Sequence, residues 1–258
     1  MQTQLARDLD RRHVLGTMAG GLGGIWGGAL LAGGDSGSAQ AAAALCARTP
    51  PEIRGPFPAD GRGGTDRAIN VLDDAGVMRA DIRPSFAGMN GLAPGVPMRI
   101  ALELVGASGD CAGLGGRAVY LWQCDASGDY SLYNRRDVNW LRGLQEADAS
   151  GGVRFTSIVP GCYGGRAPHL HLEVFESAQA AVSGAPALLV SQLGLPQDAC
   201  EAVYADRATY GASADNLERW PPSRDWAFSG ADREMLMLAM SGDPANGYAA
   251  RATIGLAT

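Results

Sequence analysis

Residues 160–175 read PGCYGGRAPHLHLEVF, and the last seven, His169–Phe175, alternate polar and apolar side chains. Alternate residues of a strand share a face, so His169, His171 and Glu173 fall on one side and Leu170, Leu172 and Val174 on the other. The chain has only three histidines, and the third, His13, lies in a leader-like N-terminus. Two imidazoles at i and i+2 on a strand are half a metal site, the plain alternative being two core or surface histidines. Tyr163 sits upstream on a turn, and Tyr130 ends another strand and turn. Phenolate oxygens are hard donors suited to ferric iron, whereas zinc favours imidazole, thiolate or carboxylate.

The flanking sequence repeats the strand pattern. MRIALELVGA (98–107), AVYLWQ (118–123), the stretch from Val153 to the Pro160-Gly161 stop, and ALLVSQLGL (187–195) all read as strands. GDPANGYAARATIG near the C-terminus suits two strands around a turn at 242–247. Helical signals are few, the best at 197–205. These elements predict an all-β fold, a β-sandwich of mixed or antiparallel strands with long loops and few short helices. No internal repeat or interdomain linker interrupts it.

Composition limits the function classes. At 258 residues, 46% apolar and 7% aromatic, the chain can bury one sizeable core. A net charge of −6 argues against a broad nucleic-acid surface. All 21 basic residues are arginine, which excludes Schiff-base or lysine-base chemistry. Arg11 and Arg12 precede a glycine-rich apolar run with a small-x-small site at 39–41, so residues 1–41 read as a twin-arginine export signal. An uncleaved membrane anchor is the competing reading. The expected product is an exported protein, periplasmic or extracellular, with no membrane attachment in its mature form. Five cysteines (Cys46, Cys111, Cys124, Cys162 and Cys200) suggest one or two disulfides and a spare thiol, with pairing open. Residues 42–95, rich in Pro and Gly, read as an extended arm with loops, and 96–258 as the sandwich.

Several motifs recur in order: RTPPEIRGPF, AVYLWQCDASGDYS, then WLRGLQEADASGGVRFTSIVPGCYGGRAPHLHLEVF, VSQLGLP and GDPANGYAARATIG. In order and spacing they resemble the intradiol ring-cleavage dioxygenases, most of all exported members consisting of the catalytic sandwich alone. The resemblance runs from about Cys46 to the C-terminus and includes no helical dimerisation segment. It implies Fe(III) held by Tyr130, Tyr163, His169 and His171, with Tyr163 the ligand that leaves when substrate arrives. It also implies Arg166 over the substrate ring and Gln192 in the same pocket as catalytic residues. The implied reaction cleaves catechol-type diols with O2 to cis,cis-muconate-type diacids. The implied partners are a small aromatic diol and O2, with no nucleic acid, and a homodimer remains open. Two departures stand out: Cys162 where the family usually has Trp or Pro, and Gln123 where many members have histidine.

Other readings of the same residues compete. Tyr130 could be an ordinary hairpin tyrosine, with Tyr120 and Tyr133 as nearby strand and loop residues. Arg166 could be a loop arginine, Gln192 could serve backbone groups, and Arg142 could pair with Asp148. Trp122 and Trp140 read most simply as core aromatics. Cys162 could pack inertly, join a disulfide or interfere with iron. Residues 81–91 are expected in the pocket wall. A cupin-type metal site would need a third histidine, and a non-catalytic exported binding module is the alternative from another class.

Overall fold

Met98, Ile100, Leu102 and Leu104 alternate with more exposed neighbours along β1 (Pro97–Gly106), so this strand buries one face. The structure, a computed structural model, describes residues 47–108 and 110–257. The expected export signal and Cys46 lie outside them. The other strands are β2 (Ala118–Trp122), β3 (Arg142–Glu146), β4 (Gly152–Ile158) and β5 (His169–Phe175). They are followed by β6 (Leu189–Gly194), β7 (Ala239–Asp243) and β8 (Gly247–Leu256). Among the described residues these make two four-stranded sheets, ordered β4-β1-β8-β7 and β3-β2-β5-β6. β1 and β8 run parallel and their other neighbours antiparallel, which gives the mixed β-sandwich expected from the sequence.

The inter-sheet core takes Leu170, Leu172 and Val174 from β5, Val119 and Leu121 from β2, and the apolar face of β1. Each such side chain contributes roughly 1.5–3 kcal/mol on burial. β5 is buried along its whole length, so the face bearing His169, His171 and Glu173 is covered too. The cover is the N-terminal arm. Glu52 N donates to Val190 O at 2.9 Å, Ser191 Oγ to Pro50 O at 2.8 Å, and Tyr120 Oη to Pro58 O at 2.7 Å. Arg54 bridges Glu173 and Asp60, and burial, then Asp60, pushes the Glu173 carboxyl up to about 7.

The structure adds one strand and corrects one side-chain pairing. β3 was not anticipated, because RGLQE is short and begins with a charged residue. Arg142 does not pair with Asp148: it is fully buried and donates to Phe57 O at 2.9 Å, Pro58 O at 3.0 Å and Ser131 Oγ at 2.9 Å. Asp148 instead accepts from Ser150 N and Gly152 N, each at 2.9 Å, and closes the turn after β3. Residues 81–91 are tied to β4 and to the segment before β3, and Phe86 packs against the cluster that holds Tyr130 and Tyr163. Ile82 N donates to Thr156 O at 2.9 Å, Leu141 N to Ile82 O at 2.6 Å, and Phe86 N to Asn139 Oδ1 at 2.8 Å.

Helix occurs where expected at Gln197–Tyr204, and also at Ala178–Val182, Arg207–Tyr210 and Ser213–Arg219. None of the helices among the described residues is long and apolar enough to cross a membrane. Cys111 is disulfide-bonded, while Cys124, Cys162 and Cys200 are buried free thiols, so no second bridge forms among these three.

Candidate metal centre

The polar face of β5 presents His169 and His171 toward two tyrosines delivered by turns. Tyr130 follows a tight turn in which Asp125 Oδ1 accepts from Ser127 N at 2.9 Å and Asp129 N at 3.1 Å. Gly161 N donates to Asp125 O at 2.9 Å, so the loop carrying Tyr163 is tied to the same turn. Gly161 itself is required here: a Cβ would lie 2.4 Å from Ala126 O.

Tyr130 Oη lies 3.1 Å from His171 Nε2, Tyr163 Oη 3.2 Å from His169 Nε2, and the two Nε2 atoms 3.1 Å apart. His169 Nδ1 donates to Ala167 O at 2.6 Å, which leaves Nε2 with its lone pair toward the cluster. His171 Nδ1 is buried without a hydrogen-bond partner, and its ring is held by stacking on Trp122. Two imidazole nitrogens that approach this closely, with two phenols beside them, are poorly satisfied by each other and well satisfied by a shared cation. No group of three His, Cys, Asp or Glu that could hold a metal occurs among the described residues, so a site here must use the tyrosines.

Burial, followed by the charge of Arg166, lowers His169 to about 3. Burial and then its neighbour His169 lower His171 as well. Both rings are therefore neutral, the form that binds metal. Burial pushes Tyr163 up to about 12 and Tyr130 also upward, so their ionisation calls for a cation.

The sequence placed Arg166 and Gln192 at the same site, and the structure brings them together. Arg166 Nη2 donates to Gln192 Oε1 at 2.6 Å, and Gln192 Nε2 donates to Ile53 O at 2.7 Å. What sequence reading missed is Asp225. It accepts from Arg166 Nε at 2.9 Å, Ala167 N at 2.7 Å and Ala227 N at 2.9 Å. Trp226 adds its ring over the Arg166 guanidinium, 4.6 Å from ring centroid to Cζ. No local motif announces this PSRDWAF segment, which reaches the site only through tertiary folding.

The remaining sequence questions resolve simply. Cys162 packs in the inter-sheet core, donates to Arg166 O at 3.4 Å, and burial pushes its thiol up to about 12; it is an inert packing residue. Gln123 faces away from the cluster, donating to Ile158 O at 3.0 Å and accepting from Ser157 Oγ at 2.8 Å. Tyr120 and Tyr133 serve the arm: Tyr120 donates to Pro58 O, and Tyr133 Oη accepts from Ala59 N at 3.0 Å.

A dioxygenase family model matches residues 75–198, a span that holds both tyrosines, both histidines, Arg166 and Gln192. The fold is similar to an intradiol ring-cleavage dioxygenase from Tetranychus urticae, with TM-score 0.61 and 19% identity over 82% of this chain and 95% of that one. It is also similar to the dioxygenase domain of a dioxygenase–carbohydrate-binding protein fusion from Streptomyces sp. SirexAA-E, with TM-score 0.51 and 22% identity over 82% and 99%. Catechol 1,2-dioxygenase from Pseudomonas arvilla C-1 matches with TM-score 0.50 and 20% identity, over 85% of this chain and 65% of that one. No curated protein sequence matches the chain. The dioxygenase family model thus spans the tyrosine–histidine cluster, and the sandwich that carries it has the fold of intradiol ring-cleavage dioxygenases.

Proposed function

We propose that this protein is a ferric-iron intradiol dioxygenase that opens catechol-type rings with O2. The observation that carries the reading is the convergence of Tyr130 Oη, Tyr163 Oη, His169 Nε2 and His171 Nε2, with successive contacts of 3.1–3.2 Å. These four residues would hold the iron. Ferric iron supplies a Lewis acid that draws electron density from a deprotonated diol and opens a ring carbon to O2.

The protein's own groups divide the remaining work. A catechol must shed two protons to bind as a dianion: Tyr163 Oη, released as the phenolate that a bound cation would stabilise, would accept one, and the other would pass to solvent. Tyr163 is only partly buried, whereas Tyr130 is 2% exposed, so Tyr163 is the tyrosine free to yield its place. Arg166 keeps a fixed positive charge at the pocket, oriented by Asp225 and Gln192, to stabilise negative charge that develops on the ring. The neutral imidazoles leave the substrate's negative charge to the metal and Arg166. On the twin-arginine reading of residues 1–41, the reaction takes place outside the cytoplasm.

Ferric loading of the purified chain tests the proposal. The expected result is a red to burgundy protein from tyrosinate charge transfer, with stoichiometric O2 uptake and a colourless muconate-type product from catechol. A yellow semialdehyde product overturns the intradiol reading. A colourless protein that takes up no iron favours the binding-module alternative.

A further inference from the structure

Arg166 is 13% exposed at its side chain, yet the indole that covers it, Trp226, is 53% exposed. One face of Trp226 rests on the guanidinium and the residue lies open to solvent. Beyond Gln192, Ile53 is 57% exposed, with its carbonyl fixed by Gln192 Nε2. Two exposed apolar residues thus flank one polar pair, Arg166–Gln192: the Trp226 ring lies on the guanidinium, and the Ile53 backbone carbonyl is held by the amide. An isolated exposed apolar residue needs no explanation, but two tied to the pocket residues make an apolar rim. The rim is held in place. Asp225, one residue before Trp226, is locked by four hydrogen bonds from Arg166, Ala167 and Ala227, and Phe228 packs against His169 with ring centroids 6.3 Å apart.

We infer that Trp226 is a specificity-determining residue whose indole receives an aromatic or apolar substituent on the diol ring, with Ile53 on the opposite side. The inference rests on the dioxygenase reading of the site and names its substrate class: catechols bearing an aryl or comparably apolar group, rather than bare catechol. A diol seated at the four ligands under Arg166 directs its ring substituent outward past this rim. There an indole preorganised by the guanidinium offers a stacking surface at little entropic cost.

The test compares catechol with 4-phenylcatechol in the iron-loaded full chain, its Trp226→Ala and its Trp226→Phe variants. Steady-state O2 uptake gives the ratio of kcat/KM for the two diols, and anaerobic calorimetry gives the ratio of their Kd values without turnover. The parent protein is expected to favour 4-phenylcatechol, and Trp226→Ala to lower that preference about tenfold, the size of one aromatic stacking contact. The loss should appear in KM and Kd more than in kcat, with partial recovery in Trp226→Phe. Equal losses on both diols overturn the inference, since the indole would then act only by fixing Arg166. A parent protein that prefers bare catechol overturns it as well. If no diol is turned over but 4-phenylcatechol binding still depends on Trp226, the reaction reading fails and the rim stands. If diols are turned over with no change in the ratio, the rim fails alone.

Discussion

Trp122 lies flat against His171, with ring centroids 4.9 Å apart and planes within 6° of parallel. Because His171 Nδ1 has no hydrogen-bond partner, this stack does the orienting that a carboxylate or carbonyl usually performs for a metal-binding histidine. Trp122→Leu should therefore lower ferric affinity by roughly 10–100-fold, the cost of losing an orienting partner. Trp122 is fully buried, so stability should also fall by about 2–4 kcal/mol from the cavity left. Trp122→Phe keeps a ring against the imidazole and should restore most of the affinity. Iron titration followed in the visible band, alongside thermal unfolding, separates the two effects.

The two tyrosines should respond differently to removal of their hydroxyls. Tyr130 is buried against Phe57, with ring centroids 4.9 Å apart, so packing fixes its ring. Tyr130→Phe should cost mainly iron affinity. Tyr163→Phe should retain iron with a shifted visible band but lose at least about 100-fold in kcat/KM, because the proton acceptor at Oη is gone. The double variant should be colourless. Absorbance spectra and O2 uptake on the same preparations settle the division.

Much of this site could be read along the chain because one strand and its preceding loop carry three of the four side chains. Period-two alternation at His169–Phe175 fixes which face the imidazoles share, and the structure keeps that pairing, with the two rings in contact. Tyr130 needed the family frame, since a tyrosine after a turn has many ordinary uses. Asp225 and Trp226 were invisible: Asp225 is 59 residues from Arg166, and no periodicity encodes a contact made by an irregular loop. β3 escaped for a related reason. Its first residue, Arg142, satisfies its guanidinium through the arm's carbonyls at Phe57 and Pro58, a partnership of tertiary origin.

Asp225 gives a pH-dependent prediction. Burial raises its carboxyl, but hydrogen bonds from Arg166, Ala167 and Ala227 outweigh that and hold it below the usual carboxylate range. A carboxylate depressed in the folded state adds stability that is complete above its unfolded pKa, roughly 4, and is lost as pH falls through the folded value. Asp225→Asn should destabilise the protein by about 2–4 kcal/mol at pH 7, by leaving a mostly buried Arg166 without its anion. The difference between parent and variant should be flat from pH 7 down to about 4.5 and shrink below the normal Asp value. Denaturant unfolding at several pH values reads this directly. A gap that widens toward acid contradicts the assignment.

Gly55 and Gly184 share nearly the same backbone, φ +79° and +81°, but only Gly55 lies against His171 on the polar face of β5. A Cβ on Gly55 would stand 2.8 Å from His171 Cε1, whereas one on Gly184 would meet nothing within 4 Å. Both alanine substitutions incur the left-handed backbone cost of roughly 1–2 kcal/mol. Gly184→Ala should stop there. Gly55→Ala must in addition push the imaginary methyl's neighbour, His171, out of its stack on Trp122, or lift the arm off β5. Its total cost should reach about 2–4 kcal/mol, with a measurable fall in ferric affinity that Gly184→Ala does not share. Equal unfolding free energies and equal iron titrations for the two variants would mean that the arm does not press on His171.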